Sequence, residues 1–275
     1  MDLRTKTTVA DDLRISVLSS GSTGNVCYVE SPNERIMIDA GLSGKKIEKL
    51  MGDIDRKMAD VNALLVTHEH SDHRQAVGIL ARRYEQLNVY ANEGTWDAMS
   101  SKIGKVDLAQ KHLFAPDTVQ TFGDIDVESF SVSHDAAEPQ FYAIHYHGKT
   151  FVILTDTGYV SEHVEGIISD ADAYLLECNH DVEMLRMGEY SWPLPQRILG
   201  VNGPLSNEVG ADTLMDVLGN RTKKIYLGHR SLHNNMQSLC HLTVASMMEN
   251  RDFGVGHDFQ LIDTNPEEAT PLVAL

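Results

Sequence analysis

A chain of 275 residues with a formal net charge of −17 at pH 7 can bury a large core but carries a strongly acidic surface. That charge excludes general attraction to phosphate backbones, so a polyanionic ligand must be held locally by metal ions, helix N-termini or single basic residues such as Arg186, Arg197, Arg230 and the Lys223, Lys224 pair. No apolar run is long enough to cross a membrane, Met1 to Asp12 lacks a secretory leader's apolar stretch, and the three cysteines (Cys27, Cys178, Cys240) read as reduced core residues, so a cytoplasmic protein is expected.

Apolar runs predict strands at Arg14 to Leu18, Asn25 to Glu30 and Arg35 to Asp39, each followed by turn residues such as Gly21-Ser22-Thr23-Gly24 or Ala40-Gly41. A helix follows from Ser43 and closes at Gly52. Asn62 to Thr67 reads as a buried strand, and Ala76 to Tyr84 and about Gly94 to Ser101 as helices. From Thr118 to Leu154 the pattern is again β, with alternation over Ile125 to Phe130 and a turn at His147-Gly148-Lys149. A helix near Val160 to Ile168 precedes a strand at Ala173 to Glu177. Asp181 caps a helix ending at Gly188, Ser206 caps one ending at Gly219, and Lys224 to Gly228 is a further strand. In the last helix Met236, Leu239, Cys240, Val244, Met247 and Met248 recur at helical spacing and form a core stripe.

Strand-rich stretches followed by strand–helix units thus occur twice. Two packed sheets with helices on the outer faces satisfy that order. The expectation is one α/β domain spanning 1–275, because the proposed ligands lie between positions 68 and 229 and both halves must build one site.

The decisive local feature is His68-Glu69-His70-Ser71-Asp72-His73 at the end of a buried strand. In an extended segment His68 and His70 point the same way and can grip one ion; a turn into helix then swings Asp72 and His73 toward a neighbouring position. Burying so many ligand-type side chains without a cation is costly. The other histidines, His112, His145, His147, His163, His233, His241 and His257, have no such spacing and read as surface or core residues.

This HEHSDH run resembles the second motif of the metallo-β-lactamase superfamily, and the remaining motifs occur in order. Asp39 in Ile38-Asp39-Ala40-Gly41 matches the first, His134 the third, Asp156 in Thr155-Asp156-Thr157-Gly158 the bridging carboxylate, and His229 the fifth. The resemblance implies an αββα sandwich and two divalent ions, Zn, Mn or Fe, since every ligand offers N or O. His68, His70 and His134 would hold one ion, Asp72, His73 and His229 the other, with Asp156 bridging and Asp39 bracing the loop without ligating. Asp72 and Asp156 would then serve catalysis directly.

From about Ile15 to Phe253 the chain is also similar to the YycJ (WalJ) family. The resemblance rests on Ser19 to Asn25, Thr155 to Ser161, Glu177 to Leu185 and Gly203 to Glu208. It implies a cytoplasmic 5′-3′ exonuclease acting on double-stranded DNA and associated with DNA repair. Pro204 stands where that family leads one to expect histidine, and Arg230 where it leads one to expect an apolar residue. Candidate substrate contacts are Ser20, Ser22 and Asn25 in the glycine-bearing loop, Asn179, the helix start Ser206-Asn207, and Ser231 with Asn234 beyond His229. Ser206 reads equally as an ordinary cap. His180 either donates a proton to a leaving oxygen or packs at the rim. Two rival functions remain: a small-molecule ester, thioester or cyclic-phosphate hydrolase of the same fold, which the acidic charge favours, and a non-catalytic metal-binding regulatory partner.

Overall fold

Alternation along the first strands decides the layering. In β1 (Arg14–Ser19) Ile15 and Val17 face one core while Leu18 faces another; in β2 (Val26–Glu30) Cys27 and Val29 are set against Val26 and Tyr28, and in β3 (Arg35–Ile38) Ile36 and Ile38 against Met37. Burial on both faces is why these strands read as near-continuous apolar runs. The structure, a computed structural model, describes residues 12–275 apart from 189 and 192, so all but the last residue of the segment read above for a leader lies outside the described residues.

The chain continues through α1 (Gly44–Asp53), β4 (Ala63–Leu65), α2 (Ser71–Arg74), α3 (Val77–Arg83), β5 (Asn88–Ala91), α4 (Glu93–Ile103) and β6 (Lys111–Leu113). A second sheet begins with β7 (Val119–Phe122), β8 (Ile125–Ser131), β9 (Gln140–Tyr146) and β10 (Lys149–Leu154). It proceeds through α5 (Glu162–Ile168), β11 (Ala173–Glu177), α6 (Val182–Met187), α7 (Pro193–Ile198), α8 (Asn207–Val217), β12 (Lys224–Gly228), α9 (Gln237–Glu249) and β13 (Gln260–Asp263), before β14 (Val273–Ala274) returns to the first sheet.

The sheets have the orders β14-β1-β2-β3-β4-β5-β6 and β13-β12-β11-β10-β9-β8-β7. In each, antiparallel pairing gives way to parallel pairing, after β3 in the first and after β10 in the second. One core lies between the sheets, where Ile15, Val29 and Ile38 meet Val127, Phe141 and Leu154. The other lies under α1, α3 and α4, where Tyr28, Met37 and Leu64 meet Leu50, Leu80 and Met99. The two sheets with helices outside are the α/β sandwich expected from the chain order.

Several boundaries differ from the sequence reading. Helix α1 runs through Gly52 and reverses only at Asp55, whose φ is 56°, and α8 is capped at Leu218, one residue before Gly219. The strands β5, β6, β13 and β14 are too short to show a period and were not anticipated. In α9 the buried line is Cys240, Val244 and Met248, at four-residue spacing. Met236, expected in the core, is 55% exposed because it precedes the helix as its cap. The cysteines are free and buried, as expected. Among the described residues no helix is long and apolar enough to cross a membrane.

Candidate metal centre

The carboxyl ends of β3, β4, β10, β11 and β12 converge, which is where open parallel sheets present ligand-binding groups. Asp39, Asp156 and His229, just beyond β3, β10 and β12, have φ of 62°, 48° and 52°. That left-handed backbone is tolerated by Asp and His and bends the chain sharply, so the side chain turns into the gap instead of continuing the pleat. Gly41 is required by crowding: a Cβ there would lie 1.6 Å from the Asp72 carbonyl oxygen. Ala40 N–H donates to His73 O at 2.7 Å and Asn25 N–H to Asp72 O at 2.8 Å, lacing α2 to the end of β3.

Five imidazoles and one carboxylate expected as ligands meet the seventh, Asp156, in one cluster. His70 Nδ1 lies 3.1 Å from both His68 Nε2 and His134 Nε2. His73 Nε2 lies 3.1 Å from Asp156 Oδ2 and 3.4 Å from Asp72 Oδ2, and His229 Nε2 lies 3.5 Å from both Asp72 Oδ2 and Asp156 Oδ1. The far nitrogens are fixed by carboxylates: His73 Nδ1 is 2.7 Å from Asp39 Oδ2, and His229 Nδ1 is 2.6 Å from Glu177 Oε1. Each ring therefore donates outward from Nδ1 and turns Nε2 inward, where a divalent ion would take the place of its proton, the usual setting of a metal-binding histidine. Thr67 N–H donates to Asp39 Oδ1 at 2.9 Å, so the brace itself is held.

Electrostatics agree with that assignment. Burial pushes the His68 and His70 pKa values down, His68 far down, leaving neutral rings with converging lone pairs. Burial would also discharge His73 and His229, but the carboxylates around them win. Asp39, Asp72 and Asp156 hold His73 well above the usual range, and Asp156, Asp72 and Glu177 hold His229 at about 10. Asp156 and Asp72 are correspondingly held far below the carboxylate range despite their burial. The buried His134 Nδ1 has no hydrogen-bond partner among the described residues. The cluster thus calls for positive charge at its centre, and bare N and O donors fit divalent cations.

The proposed substrate contacts fare differently. Ser20 Oγ accepts from His229 N–H at 2.8 Å, Asn25 Nδ2 lies 3.1 Å from His73 Nε2, and Asn179 Nδ2 donates to His229 O at 2.7 Å. Asn207 is fully buried and exchanges amide hydrogen bonds with Asn235, and Asn234 is 3% exposed. These five side chains are buried and engaged with their own loops. Ser22 and Ser231 keep some exposure, accepting from Leu232 N–H and Asn234 N–H. Ser206 caps α8, accepting from Val209 N–H at 3.2 Å, and lines a cavity that His180 and Pro204 share. His180 is not among the converging donors.

The basic candidates also have partners: Arg186 pairs with Glu183, Arg197 with Asp135, and Arg230 donates to Leu227 O and Thr264 O. A Cβ at Gly24 of the 19–25 loop would meet Leu42 and one at Gly21 would meet Arg230 and Pro266, and Gly21, Ser22 and Thr23 line a cavity together with Arg230 and Ser231. Glu177, by contrast, was not singled out. Its only advance signal is an acid closing an otherwise apolar strand, where it is fully buried.

Residues 34–199 match the model of the beta-lactamase superfamily domain. The chain is 54% identical over 264 residues to the exodeoxyribonuclease WalJ of Streptococcus pneumoniae serotype 2, covering 95% of this chain and 98% of the relative. This chain belongs to the beta-lactamase superfamily. Within the superfamily it is also 50% identical over 260 residues to the exodeoxyribonuclease YycJ of Bacillus anthracis, covering 94% of this chain and 98% of that one. The metallo-beta-lactamase fold protein YhfI of Bacillus subtilis has a TM-score of 0.71 at 13% identity, covering 94% of this chain and 100% of that one, which bears on the fold alone. Superfamily membership and the grouped His and Asp donors together make this a divalent-metal centre.

Proposed function

We propose that the protein is a metal-dependent phosphodiesterase that removes nucleotides from the 5′ end of double-stranded DNA, acting in the cytoplasm as one domain over 1–275. The observation that carries this reading is the convergence of His68, His70, Asp72, His73, His134, Asp156 and His229 in a chain at least half identical to two proteins named exodeoxyribonucleases over 98% of their lengths. His68, His70 and His134 would hold one ion and Asp72, His73 and His229 a second, with Asp156 shared; Zn, Mn and Fe all suit these donors. Such ions, when bound, supply Lewis acidity and lower the pKa of a water at the phosphodiester. The protein's own part is orientation. Asp39 and Glu177 fix two imidazoles, Asn25 holds Asp72 from the side at 3.4 Å, and the left-handed turns at Asp156 and His229 aim both donors inward.

The test is turnover of duplex DNA labelled at either 5′ or 3′ ends, after chelation and reloading with Mn²⁺ or Zn²⁺. Early release of labelled mononucleotide from the 5′ label only is expected. Internal cuts with both labels would overturn exonuclease action, and hydrolysis of a thioester or lactone with no phosphodiester cleavage would transfer the site to small molecules.

A further inference from the structure

Beside the metal centre lies a cavity of about 370 Å³ whose walls are mostly apolar, including Val182, Ile198, Pro204 and Val209. His180 lines it, is 2% exposed, and has no hydrogen-bond partner for either ring nitrogen among the described residues. A buried imidazole left unpaired on both nitrogens forfeits hydrogen bonds it would make in water, so a ligand that supplies them gains accordingly. The cavity adjoins the centre through one side chain. Glu177 Oε1 lies 2.6 Å from His229 Nδ1, while its Oε2 accepts from Thr157 N–H at 3.2 Å and from Leu205 N–H at 2.9 Å. Leu205 lines the cavity, as does Gly158, whose Cβ would fall 1.7 Å from Val201 O, so this wall is closed without side-chain bulk.

We propose that this cavity receives the base of the nucleotide at the DNA end, with His180 meeting the base's polar edge; the proposal rests on the nuclease reading above. Apolar walls suit the flat faces of a heterocycle. A neutral imidazole offers one donor and one acceptor, which every base edge can answer, so the pocket distinguishes a base from no base and not one base from another. A bare phosphate is a poor occupant. Arg186 is the cation lining the cavity, it is exposed, and it already lies 3.1 Å from Glu183. Burial also pulls the His180 pKa down to about 4, so the ring meets its ligand uncharged near neutral pH.

Equilibrium titration of the metal-loaded protein with 2′-deoxyadenosine 5′-monophosphate and with 2-deoxyribose 5-phosphate tests this. The nucleotide should bind about tenfold tighter or more, the worth of one or two buried hydrogen bonds plus apolar contact. His180→Phe, which keeps a ring but no nitrogens, and Val209→Trp, which fills the cavity from a position 46% exposed, should each abolish most of that preference. Equal affinities in the unmutated protein, or a preference that survives both substitutions, would overturn the proposal. In parallel, a duplex with a tetrahydrofuran abasic residue at its 5′ end should show a KM raised about tenfold, and His180→Phe should add little to that penalty. Independent, multiplying penalties would place the base elsewhere. Absence of duplex cleavage altogether refutes the nuclease reading, whereas the nucleotide titration judges the pocket by itself.

Discussion

Glu177 Oε1 stands 2.6 Å from His229 Nδ1 across the ends of two adjacent parallel strands, as Asp39 Oδ2 stands 2.7 Å from His73 Nδ1 in the other sheet. In each pair a buried carboxylate thus fixes the outward nitrogen of a histidine whose other nitrogen faces the cluster. Glu177 does more than Asp39, since its second oxygen also anchors the backbone of Thr157 and Leu205. Glu177→Gln keeps an acceptor for the backbone but removes the charge behind His229. Metal affinity and turnover should each fall about 10- to 100-fold while the fold is retained. Metal content by elemental analysis with activity measured on the same sample decides it; unchanged values would make Glu177 a packing residue only.

What was legible beforehand follows from range. His68, His70, Asp72 and His73 sit within one strand end and one turn, so their spacing alone places them together. His134, Asp156 and His229 close apolar runs, and the resemblance supplied their grouping. Glu177 escaped notice because its partner His229 lies 52 residues away, so nothing in local sequence separates it from surface acids. The settings of the polar loop residues were hidden for a related reason: Asn25, Asn179 and Asn207 look alike in sequence whether an amide faces solvent or a neighbouring carbonyl. The short strands β5, β6, β13 and β14 exist through pairing with neighbours, not through any period of their own.

Asp156→Ala and His70→Ala should each abolish hydrolysis, since one removes the shared carboxylate and the other a nitrogen central to the first group. His145→Ala is the contrast. That ring lies on β9 beside Glu128 at 3.5 Å and Thr150 at 3.2 Å, a partly exposed pair worth roughly 0–1 kcal/mol. Rates on bis-(p-nitrophenyl) phosphate should remain near wild type for His145→Ala. Comparable damage from all three changes would mean the chemistry is not where the cluster lies.

Removal of metal should destabilise the folded chain, because Asp72, Asp156, His73 and His229 are packed together around a charge they require. Ligand linkage gives about 4 kcal/mol when free metal exceeds its Kd about a thousandfold. At roughly 2 °C or more per kcal/mol for a chain of this size, chelation should lower Tm by about 8 °C or more. Scanning calorimetry with and without EDTA, followed by Mn²⁺ or Zn²⁺ restoration, measures it. A Tm indifferent to both would contradict a resident metal.

Far from the site, Glu30 accepts from Arg56 through both carboxylate oxygens, at 2.6 and 2.7 Å, and from the Tyr28 hydroxyl at 2.8 Å. Burial alone would raise its pKa, but these donors hold it below the usual value. A depressed folded pKa stabilises above the unfolded pKa of about 4.3 and loses that contribution as pH falls through the folded value. Glu30→Gln should therefore cost about 2 kcal/mol at pH 7 and progressively less below about pH 4. Urea melts at both pH values check the sign. A cost that grows on acidification would reverse the assignment.

The last expectation concerns how a chain of net charge −17 engages DNA at all. Arg186 and Arg197 are each paired with a carboxylate, and Arg230 is spent on two backbone carbonyls, so these three are already engaged. For duplex DNA the logarithm of the binding constant falls with the logarithm of salt by about 0.9 per neutralised phosphate. A protein that grips the end through metal and a base pocket should neutralise about two phosphates, giving a slope no steeper than about −2. The apparent affinity, from 1/KM for a 5′-phosphorylated duplex at fixed metal between about 50 and 200 mM potassium chloride, gives that slope directly. A slope of about −5 or steeper would require an extended basic track and would return the grip on DNA to the arginines.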